Sequence, residues 1–284
     1  MELKEKESKK NILLVVTNIF IAIEEMNAID SNSNIYYIID DSYNKDIKKR
    51  ETLREDIKQI YPELKEYEKD LSVDVLVGVS FITKYLHNVI EYVKPKEIVF
   101  VEDGSYDYLS DGEKDYPEIK QNKVLYAFRP NQVLSKRFKE IKPLKVDMKR
   151  VVEVYKKNFK CLNEIDKDAV VLFTTPMKDF DYDSTEKIIG YLERHYAGKT
   201  VLVKRHPRDE RKFNSDKLNL EFCPNNIPGQ IICELFKGEK IFEFPSTITF
   251  MTDSDENIKI VEYNDIEDIG YRNTISTAKE TFNF

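Results

Sequence analysis

The chain has 284 residues, long enough for two domains of ordinary size, and 41% of them are hydrophobic, enough to build real cores. Its formal net charge is −7 with both signs mixed along the chain. That excludes a global nucleic-acid binder, because no excess of cations exists to release phosphate counterions, while leaving room for a locally basic pocket.

The charged first ten residues precede an apolar run at 12–23, broken by Thr17-Asn18 and followed by Glu24-Glu25. No small-residue cleavage site follows, and the run is shorter than the roughly 20 residues a membrane span needs. It reads as a buried strand entering a helix. Further Val- and Ile-rich runs at 35–39, 73–79 and 98–101 alternate with helical patterns, such as Leu86, Val89, Ile90 and Val93. This is the signature of parallel strands covered on both faces. A short strand is expected at 124–128, inside a charged, loop-like stretch from 103 to 132. Val151, Val152, Val154, Tyr155 and Phe159 suggest a helix leading out of this half. The pattern then restarts: strands at 169–173, 201–203, 240–244 and 258–261, with helices around Ile188–Ile189–Leu192 and at 231–236. We therefore expect an α/β chain of two Rossmann-like domains, 1–160 and 161–284, facing one another across a cleft. Glycosyltransferases know that architecture as GT-B.

Four short motifs follow strand-like runs. Glu102-Asp103-Gly104-Ser105 ends the fourth run, where open α/β sheets bind ligands. An acid there can take a proton from a hydroxyl, and Gly104 permits a sharp turn or a close ligand approach. Asp-Gly is also an ordinary turn dipeptide. Lys204-Arg205-His206-Pro207-Arg208 combines an imidazole with cations that suit a phosphate; its plainer reading is an exposed basic turn. Pro228-Gly229-Gln230 opens a helical pattern and can wall a base and ribose. Pro245-Ser246-Thr247 is a strand-to-helix turn whose hydroxyls and free N–H groups suit a phosphate, or simply cap a helix. His87 and His195 read as ordinary helix residues. Asp181 and Asp183 form Asp-Tyr-Asp in a polar loop, with Ser184 as a natural helix cap. No metal-ligand motif appears. Cys161, Cys223 and Cys233 lack zinc or disulfide-framework spacing, as in reduced cytoplasmic proteins.

Taken in order, these four motifs resemble those of bacterial sialyltransferases of glycosyltransferase family 52, the lipooligosaccharide and capsule type, and their polysialyltransferase relatives. The resemblance implies a GT-B fold, CMP-sialic acid as donor, a terminal galactoside of a surface glycan as acceptor, and inversion without a metal or other cofactor. It makes Asp103 the general base, with Asp183 in reserve. It makes His206 the second catalytic residue, contacting or protonating the donor phosphate, with Ser246 and Thr247 as hydroxyl partners of that phosphate and Pro228 and Gln230 as neighbours of cytidine. Gly104, Lys204 and Pro207 complete the donor-side set. Two departures stand out: Ser-Thr replaces the family's Ser-Ser, and Gln230 replaces an acid near the ribose. The implied location is cytoplasmic. The resemblance allows, without requiring, attachment at the inner membrane face and a homodimer. The rival readings are a GT-B transferase or epimerase using a UDP-sugar, and a catalytically inactive glycan-binding module.

Overall fold

The computed structural model describes residues 9–30, 32–42, 45–80, 83–102, 119, 121–164, 169–177, 182–246, 248–249 and 257–282. The chain forms two compact units, Met1–Asp147 and Met148–Phe284. The break falls before residue 160 because the helix Lys149–Asn158 packs on the second unit's helix Gly229–Leu235.

In the first unit the described strands are β1 (Asn11–Val16), β2 (Asn34–Ile39), β3 (Lys65–Glu66), β4 (Val75–Val79), β5 (Glu97–Val101), β6 (Asn122–Ala127) and β7 (Glu140–Pro143). They form one parallel sheet of order β3-β2-β1-β4-β5-β6-β7. Helices α1 (Ile19–Asn27), α2 (Ile47–Ile60) and α3 (Lys84–Val93) make crossovers. Residues 13–16 of β1 and 76–77 of β4 are almost fully buried, as expected when crossover helices cover both faces. The order reverses between β1 and β4, so their carboxyl ends form a topological switch point.

The second unit begins with α4 (Lys149–Asn158). Strands β8 (Val170–Phe173), β9 (Thr200–Lys204), β10 (Asn219–Phe222), β11 (Lys240–Phe242) and β12 (Ile258–Ile260) pair in parallel in the order β10-β9-β8-β11-β12. Helices α5 (Thr185–Tyr196), α6 (Gly229–Leu235) and α7 (Ile269–Phe282) accompany them. One face buries Val170, Leu172, Val201, Val203 and Ile241 against Ile188, Leu192, Tyr271 and Ile275 of α5 and α7. The strand order reverses between β8 and β11. Among the described residues no helix is long and apolar enough to cross a membrane.

Helix α1 carries two acids, Glu24 and Glu25, with no exposed surface. They fall on its buried side because α1 packs against β1, β4, β5 and α2, leaving its last full turn little access to water. Burial pushes the Glu25 carboxyl well above its usual range, offset in part by the Val15 backbone. A raised pKa means this group's contribution to stability is complete below the unfolded value of about 4.3 and fades as pH rises toward the folded value. Glu25→Gln should therefore raise the melting temperature at pH 7, and the gain should vanish below about pH 4. Melting curves across that range check it; an unchanged melting temperature at pH 7 would mean Glu25 costs nothing to bury.

Candidate functional site

The two switch points differ in chemistry. In the first unit, Asn18 Oδ1 accepts from the Phe20 and Ile21 N–H groups at 2.9 and 3.0 Å, capping α1. Thr83 Oγ1 accepts from Leu86 N–H at 3.0 Å, capping α3, and its hydroxyl donates to buried Asp40 at 2.9 Å. Asp40 also accepts from the Ser42 N–H. These helix donors are spent on internal caps beside a buried carboxylate, a poor setting for an anion. Nearby, Glu102 is fully buried and its Oε2 accepts from Phe128 N–H at 2.8 Å, tying the end of β5 to the end of β6. Asp103 and Gly104, the next two residues of that motif, lie outside the described residues.

In the second unit the carboxyl ends of β8, β9 and β11 converge on Glu243, which directly follows β11 and is fully buried. Its Oε1 accepts from the Ser184 hydroxyl at 2.8 Å, the Tyr263 hydroxyl at 3.0 Å and Arg211 Nη1 at 3.0 Å. Its Oε2 accepts from Arg211 Nη2 at 2.6 Å and from Thr175 N–H at 3.1 Å. Arg211 also grips Asp209, through Nε and Nη2 at 2.8 Å each, and donates to the Thr175 carbonyl at 2.7 Å. Burial works against both charges, yet the pairing prevails. Asp209 is held below the usual carboxylate range by Arg211 and the Thr174 hydroxyl, and Arg211 is pushed up by Asp209 and Glu243. Desolvation and the adjacent Glu243 raise the Tyr263 phenol, keeping it a neutral donor.

His206 sits on this frame. Its N–H donates to Thr174 Oγ1 at 3.1 Å, and its carbonyl accepts from Asp209 N–H at 2.9 Å. The segment 206–209 is thus a β-turn with Pro207 second, where its fixed φ fits. This explains the His-Pro pair: Pro207 is exposed and shapes the turn rather than burying surface. Arg208 N–H donates to His206 Nδ1 at 3.2 Å, so the neutral ring carries its proton on Nε2.

The other expected residues divide. Lys204 is buried, opposite Phe173 in register, and its Nζ donates to the Arg205 carbonyl at 3.0 Å. Desolvation depresses its pKa, so it is not the exposed cation the sequence suggests. The Arg205 guanidinium lies 5.8 Å from the Phe222 ring centre. Ser246 is half-buried. Its N–H donates to Thr249 Oγ1 at 3.1 Å and its carbonyl accepts from Thr249 N–H at 2.9 Å, a local cap. Thr247 lies outside the described residues. Pro228 precedes α6 as its cap, and Gln230 is half-buried in the first turn. A Cβ on Gly229 would fall 2.5 Å from Ile248 Cδ1 and 3.5 Å from the Phe173 ring. The Pro228–Gln230 and Ser246 segments therefore do meet, with glycine at the closest approach. Asp183 is exposed, and hydrogen bonds from the Thr185 hydroxyl and N–H depress its pKa. Ser184 stands at the N-cap of α5, as the sequence suggests, but its hydroxyl donates to Glu243, and Asp183 takes the first helical N–H, that of Thr185. Among the described residues no three His, Cys, Asp or Glu side chains converge to hold a metal ion.

Sequence reasoning missed Thr174, Asp209, Arg211, Glu243 and Tyr263. The available signal was Glu243 itself, an acid directly after a buried strand, as Glu102 is.

No protein-family model and no curated protein matches the chain. Solved structures do. Arabidopsis thaliana UGT89C1 complexed with UDP is similar with a TM-score of 0.53 and 9% identity, over 96% of this chain and 84% of that one. UGT89C1 complexed with UDP-L-rhamnose gives 0.45 and 9%, over 83% and 75%. The UDP-GlcNAc 2-epimerase from Methanocaldococcus jannaschii gives 0.43 and 13%, over 98% and 93%. At 9% identity the first likeness is one of fold: the chain has the GT-B architecture of two Rossmann-like α/β units.

Removing one partner of a buried ion pair strands the other charge, at a cost of about 3–5 kcal/mol. Arg211→Ala should lower unfolding free energy by that amount in urea titrations. Arg211→Met combined with Glu243→Met should cost less than the two single changes together, because the double change strands only Asp209, whereas removing Arg211 alone strands both acids. Additive losses would show that the two side chains act independently.

Proposed function

We propose that the chain is a nucleotide-sugar-dependent glycosyltransferase whose second unit holds the donor at the carboxyl ends of β8, β9 and β11. The observation that carries this reading is the His206 turn, hydrogen-bonded to Thr174 beside the strand-order reversal, with the ring's Nδ1 accepting from the Arg208 N–H. Ligands of open α/β sheets gather at that position.

In the proposed reaction an acceptor hydroxyl oxygen bonds to the anomeric carbon of the donor. The bond from that carbon to the phosphate oxygen breaks, and its electron pair leaves with the nucleotide. The hydroxyl proton goes to a base, which the sequence assigns to Asp103. Negative charge grows on the departing phosphate. Donors already in place there stabilise the transition state more than the ground state, the condition for acceleration. His206 Nε2–H and the Ser246 hydroxyl are the side-chain donors in this reading. Asp183 is a weak alternative base, since its carboxylate is engaged by Thr185 and holds protons poorly. The reaction as written needs no metal ion.

The fold shared with a UDP-bound glycosyltransferase supports a uridine nucleotide sugar as donor. A second reading, CMP-sialic acid transferred to a terminal galactoside, is favoured by the ordered motifs at Asp103-Gly104, His206-Pro207, Pro228-x-Gln230 and Ser246-Thr247.

Donor hydrolysis separates the two. Release of UDP from UDP-sugars supports the first reading and release of CMP from CMP-sialic acid the second. Saturable binding without turnover of either would make the chain a binding module. On the productive donor, His206→Ala should reduce kcat about 10²–10⁴-fold, with the melting temperature little changed. Asp103→Ala should do the same. Near-normal turnover by His206→Ala removes the imidazole from the mechanism.

A further inference from the structure

The hydrogen bonds behind His206 form one continuous chain of contacts. Glu243, fully buried, takes both terminal nitrogens of Arg211 at 3.0 and 2.6 Å. Arg211 takes both oxygens of Asp209. Asp209 accepts from the Thr174 hydroxyl. Thr174 Oγ1, its proton committed to Asp209, has lone pairs to offer and accepts the His206 N–H at 3.1 Å. Thr174 N–H donates in turn to the Lys204 carbonyl at 3.1 Å, so the same residue pins the chain on both sides of Arg205.

The geometry points to Thr174 as a positioning residue for His206, anchored through Asp209 and Arg211 to Glu243, that holds the imidazole in its Nε2–H form. The reason is directional. Asp209 fixes which way the Thr174 proton points, so the oxygen facing His206 can only accept. The accepted N–H fixes the start of the 206–209 turn. The turn then places Arg208 N–H against Nδ1 at 3.2 Å, which requires Nδ1 to be unprotonated. A neutral imidazole with a bare Nδ1 carries its proton on Nε2, the nitrogen that can donate to an anionic oxygen. Bulk alone at position 174 does not accomplish this, because valine fills the same space without accepting an N–H. Thr174 is nearly buried, so no water replaces the lost acceptor.

The inference rests on the glycosyltransferase reading for its catalytic meaning but not for its structural test. The chain has only three histidines, His87, His195 and His206, so nitrogen NMR of the full chain labelled in histidine is tractable. The His206 signals are those missing from His206→Ala. The wild type and Thr174→Ser should show a single Nε2–H tautomer at His206. Thr174→Val should show averaged tautomers, with His87 and His195 unmoved. Averaged signals in Thr174→Ser, or a single tautomer retained in Thr174→Val, would overturn the inference. If Thr174→Val does not fold, Asp209→Asn tests the link one step back: averaging supports the inference and a retained tautomer overturns it. On a productive donor, Thr174→Val should lose about tenfold or more in kcat, with KM within about twofold and Thr174→Ser near wild type. Equal losses in kcat and KM for both variants would mean only general loosening of the fold, and the positioning role would fall. If the tautomer result holds while no nucleotide sugar is turned over, the functional reading fails and the positioning role stands.

Discussion

The second unit is organised around one carboxylate. Glu243 emerges from β11 with no access to water and accepts from five donors contributed by Ser184, Tyr263, Thr175 and Arg211. Such a charge is tolerable in a protein interior only when nearly every lone pair is engaged and a cation lies against it. Meeting that requirement fixes much of the rim. The end of β8 is held through the Thr175 N–H, the start of α5 through Ser184, the segment after β12 through Tyr263, and the 209–211 loop through Arg211. Tyr263 N–H is in turn taken by the Tyr271 hydroxyl of α7 at 3.2 Å, and Tyr271 stacks on Phe244 just beyond Glu243. Packing builds the sheet, but hydrogen bonding to one acid sets where its loops leave it.

The first unit uses the same device with a different result. Glu102 follows β5 as Glu243 follows β11, and each takes an N–H from the residues after a neighbouring strand, Phe128 and Thr175. At the first unit's own reversal point the caps of α1 and α3 and the buried Asp40 consume the donors. The two sheets are therefore alike in topology and unlike at their carboxyl ends. The second retains the imidazole, the hydroxyl of Ser246 and the glycine-permitted approach of α6 to the Ser246 segment.

The central strands were legible in the sequence because burial on both faces writes them as unbroken Val, Ile and Leu runs; β1, β4, β5, β8 and β9 all stand where those runs do. Strands β3, β7 and β10 were not legible. Each lies at a sheet edge and has no buried residue, with sequences such as Lys65-Glu66 and Glu140-Ile141-Lys142-Pro143. Lysine and proline there suit an edge that must not recruit another strand, and they erase the apolar signal. At the site, His206-Pro207, Pro228-Gly229-Gln230 and Ser246 were found because special backbone needs select special residues. Lys204 was found for the wrong reason. Its place opposite Phe173, in a sheet face where Phe173 and Phe242 stack at 4.7 Å, makes it a buried amine. Arg211 and Asp209 were invisible because a charged stretch looks the same whether its members face water or each other; only the fold brings Arg211 to an acid 32 residues away.

That buried pairing limits how the rim can hold an anion. Glu243 and Asp209 bring two negative charges there, and Arg211 cancels one while its nitrogens are occupied by both. Lys204 is desolvated with its pKa depressed, and Arg205 lies over the Phe222 ring. Of the cations at this rim, Arg211 is thus committed to the buried acids and Lys204 is turned away from solvent. A phosphate held here draws on directed donors as well as on charge, and a directed donor works best if its orientation is set before the ligand arrives. The same acids that weaken the field supply that orientation, by fixing the arginine, the threonine hydroxyl and the turn behind His206. On this view the two buried carboxylates are part of how this rim can favour a transition state in which negative charge is still growing.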